Sequence, residues 1–226
     1  MQKIDLTAYL VIGPENCTND FGETIRAAVR AGFTVVQVRS KVLDALPLME
    51  ATRVAREAID KVNPAVKLLV NDRLDVVLAC LERGIMVDGI HVGQTDIPVS
   101  VCRKYLGKDK IVGLSARTSE LLDYVRTADL DGVDYLGAGP LHFTPTKADC
   151  GVDATGNVVT RSLSELRELH KISPLPVVVG GGVKATDLAN LKATGVEGFF
   201  VVSAVTAAVD SYAAARELVE GWEGGN

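Results

Sequence analysis

Residues 34–72, TVVQVRSKVLDALPLMEATRVAREAIDKVNPAVKLLVND, read as strand, helix and strand in turn. Thr34–Val38 and Val66–Val70 are short apolar runs rich in β-branched residues, the composition of strands buried on both faces. Leu43–Lys61 between them is long enough for a helix, and Ala51, Ala55 and Ala58 favour that state because alanine loses no side-chain entropy there.

The same alternation recurs along the chain. Ala8–Ile12, Gly89–Val92, Lys110–Leu114, Val133–Leu136, Pro176–Val179 and Gly198–Val202 read as further buried strands. Gly22–Arg30, Arg73–Arg83, Val99–Tyr105, Ser119–Thr127, Leu163–Lys171, Thr186–Ala193 and Ala207–Trp222 read as the helices that follow them. Eight such units in 226 residues leave about 28 residues each, which fits a (β/α)8 barrel. A doubly wound parallel sheet alternates in the same way and is the other architecture to consider. No shift of composition marks a boundary, so residues 1–226 are expected to form one domain. Ala148–Ser162, with Asp149, Gly151, Asp153, Gly156 and Asn157, has little periodicity and reads as an inserted loop.

The apolar fraction of 47% and charged fraction of 23% are ordinary globular values and exclude a disordered chain. A net charge of −5 argues against a nucleic-acid surface but leaves room for a local basic pocket that takes a phosphorylated small molecule. Cys17, Cys80, Cys102 and Cys150 lack C-x-x-C spacing, and His91, His142 and His170 stand at no ligand interval, so a zinc site is not expected. The start Met-Gln-Lys-Ile-Asp carries no apolar leader, and no run approaches the ~18 apolar residues of a membrane span. The expectation is a soluble, cytoplasmic protein without membrane or nucleic-acid partners.

Active residues of a (β/α)8 barrel gather at the C-terminal ends of its strands. After the second run come Gln37-Val38-Arg39-Ser40-Lys41, where side-chain alternation puts Gln37, Arg39 and Lys41 on one face. The third run ends at Asn71-Asp72, and the fourth continues through His91 and Gln94 to Asp96. Two carboxylates on adjacent loops suit Mg2+, although a helix cap for Asp72 and a turn for Asp96 are the simpler roles. His91 reads as a hydrogen-bonded structural residue rather than a base. Ser115 ends the fifth run, and Gly139-Pro140 leads to Thr144-Pro145-Thr146-Lys147, either an anion loop or a polar surface loop. Gly180-Gly181-Gly182 and Val202-Ser203 end the last two runs, where such barrels frequently bind phosphate. A common mouth for two anionic ligands accounts for all of these at once and points to a phosphorylated-metabolite transferase or isomerase.

In this ordered set the sequence resembles the thiamine phosphate synthase family. The carriers are Gln37–Lys41, Val70-Asn71-Asp72-Arg73, Gly89–Asp96, Gly139-Pro140, Thr144–Lys147, Gly181-Gly182 and Val202-Ser203-Ala204. The resemblance implies a (β/α)8 barrel that condenses hydroxymethylpyrimidine diphosphate with a thiazole ethyl phosphate, releasing thiamine phosphate and diphosphate. It implies that Gln37, Arg39, Lys41, Asn71, Ser115 and Lys147 bind the pyrimidine diphosphate, with Val38, Ser40 and Pro145 also among the substrate-binding residues. Arg39, Lys41, Ser115 and Lys147 would serve catalysis, and Asp72 and Asp96 would hold Mg2+. Thr144, Thr146, Gly182, Val202 and Ser203 would hold the thiazole phosphate, with Gly181 supporting that turn.

Three departures stand out: Ser40 where an acidic residue is expected, His142-Phe143 where the family loop carries Phe-Pro, and the length of Ala148–Ser162. A thiazole tautomerase-like enzyme and a non-catalytic thiamine-metabolite sensor on the same barrel are the alternatives. Retention of Arg39, Lys41, Asp72 and Asp96 argues against the tautomerase, which has no diphosphate leaving group.

Overall fold

In the computed structural model, which describes residues 4–116, 120–143 and 159–225, eight parallel strands close on themselves in chain order. They are β1 (Ala8–Ile12), β2 (Val35–Val38), β3 (Lys67–Asn71), β4 (Gly89–Val92), β5 (Ile111–Ser115), β6 (Tyr135–Ala138), β7 (Val177–Gly180) and β8 (Gly198–Val201). Tyr9 of β1 stands opposite Val35 of β2 on one side and Phe200 of β8 on the other, and this last pairing makes a barrel rather than a doubly wound sheet. The helices between and after the strands are α1 (Phe21–Ala31), α2 (Ala45–Asp60), α3 (Leu74–Glu82), α4 (Val99–Leu106), α5 (Leu121–Thr127), α6 (Leu163–Ile172), α7 (Leu188–Lys192), α8 (Ser203–Thr206) and α9 (Ser211–Glu223).

Strand parity divides the core in two. Leu10, Ile12, Val36, Val38, Leu68, Val70, Ile90 and Val112 belong to the large layer that also takes the helices' apolar faces. Tyr9, Val11, Val35, Leu69, Ile111, Tyr135 and Val178 form the smaller cluster in the barrel interior. Burial on both faces explains why the strands are mainly apolar, with Gln37, Asn71, His91 and Ser115 as polar exceptions. Glycines make the interior fit its aromatic rings: a Cβ on Gly113 would lie 2.2 Å from Cζ of Tyr135, and one on Gly180 would lie 2.2 Å from Cδ2 of Phe200.

Helix ends follow their caps. Asp20 accepts from the Glu23 amide at 2.9 Å to start α1, Ser162 from Glu165 at 3.1 Å to start α6, and Asp210 from Ala213 at 2.9 Å to start α9. The expected helix Ala207–Trp222 therefore divides into α8 and α9, because Asp210 caps the second piece. The expected Thr186–Ala193 helix opens with a 3-10 turn, Ala185–Asp187, whose Asp187 carboxylate accepts the Lys184 amide at 2.9 Å. β5 and β6 run further than expected, to Ser115 and Ala138, since Ser115 is polar and Gly137 has no side chain, and neither continues the apolar pattern although the two pair as strand residues. Of the proposed insertion, residues 148–158 lie outside the described residues. Its last two residues are anchored: the Arg161 amide donates to the Pro140 carbonyl at 2.8 Å, and Ser162 caps α6.

Candidate active site

All strands from β2 to β8 contribute to one cavity of about 210 Å3 at the C-terminal rim. Its wall comprises Arg39, Lys41, Asn71, Asp72, Gly93, Gln94, Thr95, Asp96, Ser115, Ala116, Gly137–Pro140, Gly180, Gly181 and Phe200. Arg39 continues β2, its amide donating to the Ile12 carbonyl at 2.8 Å. Lys41 reaches over the rim, and its Nζ lies 2.6 Å from Oδ2 of Asp72.

Asp72 is built into an unusual backbone. Its φ of 60° is left-handed, which is sparsely populated by residues with a Cβ and is retained where the surroundings fix it. Here the Asp72 amide donates to the His91 carbonyl at 2.8 Å, and its own carbonyl accepts from Leu74 at 3.2 Å. The residue preceding α3 is Arg73, and no side chain caps that helix, so Asp72 does not fill the simpler capping role. Burial pushes the Asp72 carboxyl pKa up; the Lys41 ammonium opposes that, and the neighbouring Asp96 carboxylate adds to it. Asp96 does serve its turn, with Oδ2 accepting the Gly93 amide at 2.8 Å.

Two carboxylates on neighbouring strand ends offer hard oxygen donors to a divalent cation. Among the described residues no group of three His, Cys, Asp or Glu side chains forms a dedicated metal cage. The donor set fits Mg2+, which is commonly held by one or two carboxylates and completes its shell with water and phosphate oxygens.

A polar chain reaches the cavity from below. Tyr9 and Tyr135 hydroxyls are 2.8 Å apart, Tyr135 Oη is 2.8 Å from Nδ1 of His91, and Nε2 of His91 is 2.9 Å from Oγ of Ser115. His91 is thus the hydrogen-bonded structural residue expected from sequence, with partners that sequence could not assign. Gln37 is also buried in the barrel interior, and its Nε2 has no hydrogen-bond partner among the described residues.

The other expected site residues are dispersed. The Val38 side chain packs in the outer core, and the Ser40 hydroxyl accepts from the amides of Val42 and Leu43 at 3.2 and 3.0 Å. Gly181 and Gly182 have φ of 87° and 71°, a turn that glycine adopts without penalty. The segment after β6 is tied to this turn by bonds from the Leu141 and His142 amides to the carbonyls of Gly180 and Gly181, at 3.0 and 2.9 Å. The cavity wall includes Gly181 but not Gly182, Val202 or Ser203. Val202 packs on the interior cluster, and Ser203 begins α8. Thr144, Pro145, Thr146 and Lys147 lie outside the described residues. The sequence reading missed Phe200 and Tyr135; their interior parity in β8 and β6 is the signal that would have found them.

Concentrating cations, carboxylates and close-approach glycines on one rim of a closed parallel barrel defines a (β/α)8 enzyme for phosphorylated ligands. The family model for thiamine monophosphate synthase matches residues 8–205, and the chain belongs to that family of transferases. It is 39% identical over 198 residues to the thiamine-phosphate synthase of Moorella thermoacetica, covering 88% of this chain and 86% of that one. The corresponding Clostridium beijerinckii protein is 36% identical over 218 residues, covering 96% and 95%. In structure the chain is similar to the thiamine phosphate pyrophosphorylase from Pyrococcus furiosus, with a TM-score of 0.79, 28% identity and coverage of 98% and 97%.

Proposed function

We propose that the chain is a thiamine-phosphate synthase that joins hydroxymethylpyrimidine diphosphate to a thiazole or carboxythiazole ethyl phosphate. The products are thiamine phosphate and diphosphate. The observation that carries this reading is the rim itself, where Arg39 and Lys41 meet Asp72 and Asp96 across one cavity whose far wall is the Gly180–Gly181 turn.

The bond between the pyrimidine methylene and diphosphate breaks with the electron pair leaving on oxygen, and the thiazole nitrogen lone pair forms the new C–N bond. Arg39 and Lys41 stabilise the negative charge that grows on the departing group, with Lys147 as a further cation. Gln37, whose buried Nε2 has no hydrogen-bond partner among the described residues, Asn71 and Ser115 orient the pyrimidine half, with Val38 and Ser40 lending backbone groups. The Gly181-Gly182 turn, Thr144-Pro145-Thr146 and Val202-Ser203 hold the thiazole phosphate, where the absence of side chains lets backbone amides approach it. Asp72 and Asp96 would hold Mg2+, which supplies charge neutralisation to the diphosphate when bound. The barrel places the two reactants in line, and no serine or cysteine nucleophile takes part.

We place the enzyme in the cytoplasm, which suits the free thiols of Cys17, Cys80 and Cys102. Burial pushes those of Cys17 and Cys80 up to about 11, away from reactivity. No helix among the described residues is long and apolar enough to cross a membrane. An assay with both substrates and Mg2+ tests the reading: thiamine phosphate and diphosphate should form in equal amounts. Turnover of the thiazole phosphate alone would indicate a tautomerase, and binding without any product would indicate a sensor.

A further inference from the structure

The hydrogen-bonded chain beneath the cavity has a direction. Tyr9 and Tyr135 are 2% and 0% exposed, and burial pushes both phenols well above their ordinary pKa, so each carries a proton that must find an acceptor. Among the described residues the hydrogen-bond partner of the Tyr9 hydroxyl is Tyr135. Tyr135 can then donate only to Nδ1 of His91, at 2.8 Å, which leaves the imidazole proton on Nε2 facing Oγ of Ser115 at 2.9 Å. The reverse order has Ser115 donating to Nε2, Nδ1 donating to Tyr135 and Tyr135 donating to Tyr9. It would strand the Tyr9 proton in the barrel interior, where an unmet donor is costly.

From this we propose that Tyr135 and His91 are positioning residues. They fix the His91 tautomer so that Ser115 accepts from the imidazole and turns its own hydroxyl proton into the cavity as a donor. Ser115 lines the cavity, so the donor faces the place where an anionic or carbonyl-like acceptor of the pyrimidine half would lie. The barrel makes room for the arrangement at Gly137, where a Cβ would approach Cε1 of His91 to 3.1 Å. The functional consequence rests on the synthase reading above; the tautomer itself does not.

Two measurements separate these. Imidazole 15N NMR of the ligand-free full chain should find the His91 ring proton on Nε2 and Nδ1 unprotonated, and a proton on Nδ1 would overturn the proposal whatever the protein catalyses. Kinetics of two hydroxyl deletions then test the consequence. In Tyr135→Phe the ring loses the donor that selects its tautomer, and kcat should fall ~10-fold or more, less than for outright loss of a transition-state donor. The KM for thiazole phosphate should be unchanged, and Tyr135→Phe should have no further effect in a Ser115→Ala background. Tyr9→Phe leaves Tyr135 with His91 as its acceptor and should keep kcat within about twofold, since the donor order is preserved. Equal behaviour of the two Phe variants, active or inactive, would mean that the chain only packs the barrel. If the native chain has no synthase activity, the functional reading fails while the NMR result still decides the tautomer.

Discussion

Lys41 Nζ sits 2.6 Å from Asp72 Oδ2 and bridges the ends of β2 and β3 across the rim of the cavity. The Lys41 side chain is 53% exposed, so solvent screens the pair and it contributes at most ~1 kcal/mol to stability. Its importance is chemical. A ligand diphosphate entering the cavity meets an ammonium already aimed over the rim and, beside it, a carboxylate on a left-handed backbone.

Lys41→Met keeps most of the side chain's length and removes its charge. Diphosphate gains charge as its bond to carbon breaks, so kcat should fall by ~10²-fold, comparable to losing one well-placed electrostatic donor. Thiazole phosphate affinity and the thermal midpoint should hardly change, and a pyrimidine substrate with a better leaving group should reduce the defect. A variant with native kcat and a lowered midpoint would make Lys41 a structural residue.

Chelation should abolish synthesis, and added Mg2+ should restore it. Asp72→Asn and Asp96→Asn should each raise the Mg2+ concentration needed for half-maximal rate. Asp72→Asn should cost no more than ~1 kcal/mol of stability, since its pair with the exposed Lys41 ammonium is screened by solvent. Full turnover in metal-free buffer would remove both carboxylates from the proposed metal role.

Gly182→Val puts a β-branched residue at a φ of 71°, and its Cβ would lie 2.9 Å from Cβ of His142. The β7 turn and the segment after β6 must then separate. Thiazole phosphate binding should be lost while pyrimidine diphosphate binding survives, as calorimetric titration of each ligand would report.

Gly113→Ala tests the packing of the interior. The added Cβ would lie 2.2 Å from Cζ of Tyr135, a ring with no free space around it, so urea unfolding should register a loss of ~1–3 kcal/mol. By contrast, Asp210→Ala removes only the cap of α9, where Asp210 accepts the Ala213 amide, and should cost about 1 kcal/mol with kcat unchanged.

Much of this was readable from residues alone. Thr34–Val38 and Val66–Val70 are mainly apolar because strands of a barrel are buried on both faces, and that pattern, repeated eight times, pointed to a parallel α/β fold of barrel length. The polar residues that interrupt the pattern at Arg39, Asp72, Asp96 and Ser115 mark the rim because polar groups there meet the cavity and water, whereas one placed deeper needs a partner. Boundaries were less readable where a strand residue is small or polar, as at Ser115 and Gly137, or where a cap interrupts helical periodicity, as at Asp210.

By itself, then, the sequence determined the repeating strand and helix pattern and the set of residues at the strand ends, since periodicity and polarity are local properties. Only the tertiary structure decided that β8 closes on β1, that Asp72 takes a left-handed backbone and turns to Lys41, and that Tyr9, Tyr135, His91 and Ser115 join in one line. These depend on contacts between residues far apart in sequence, from 126 positions for the Tyr9 and Tyr135 hydroxyls to the still longer separation of Tyr9 and Phe200. Strand parity says which face a side chain takes, but the register between strands decides which side chains on that face meet.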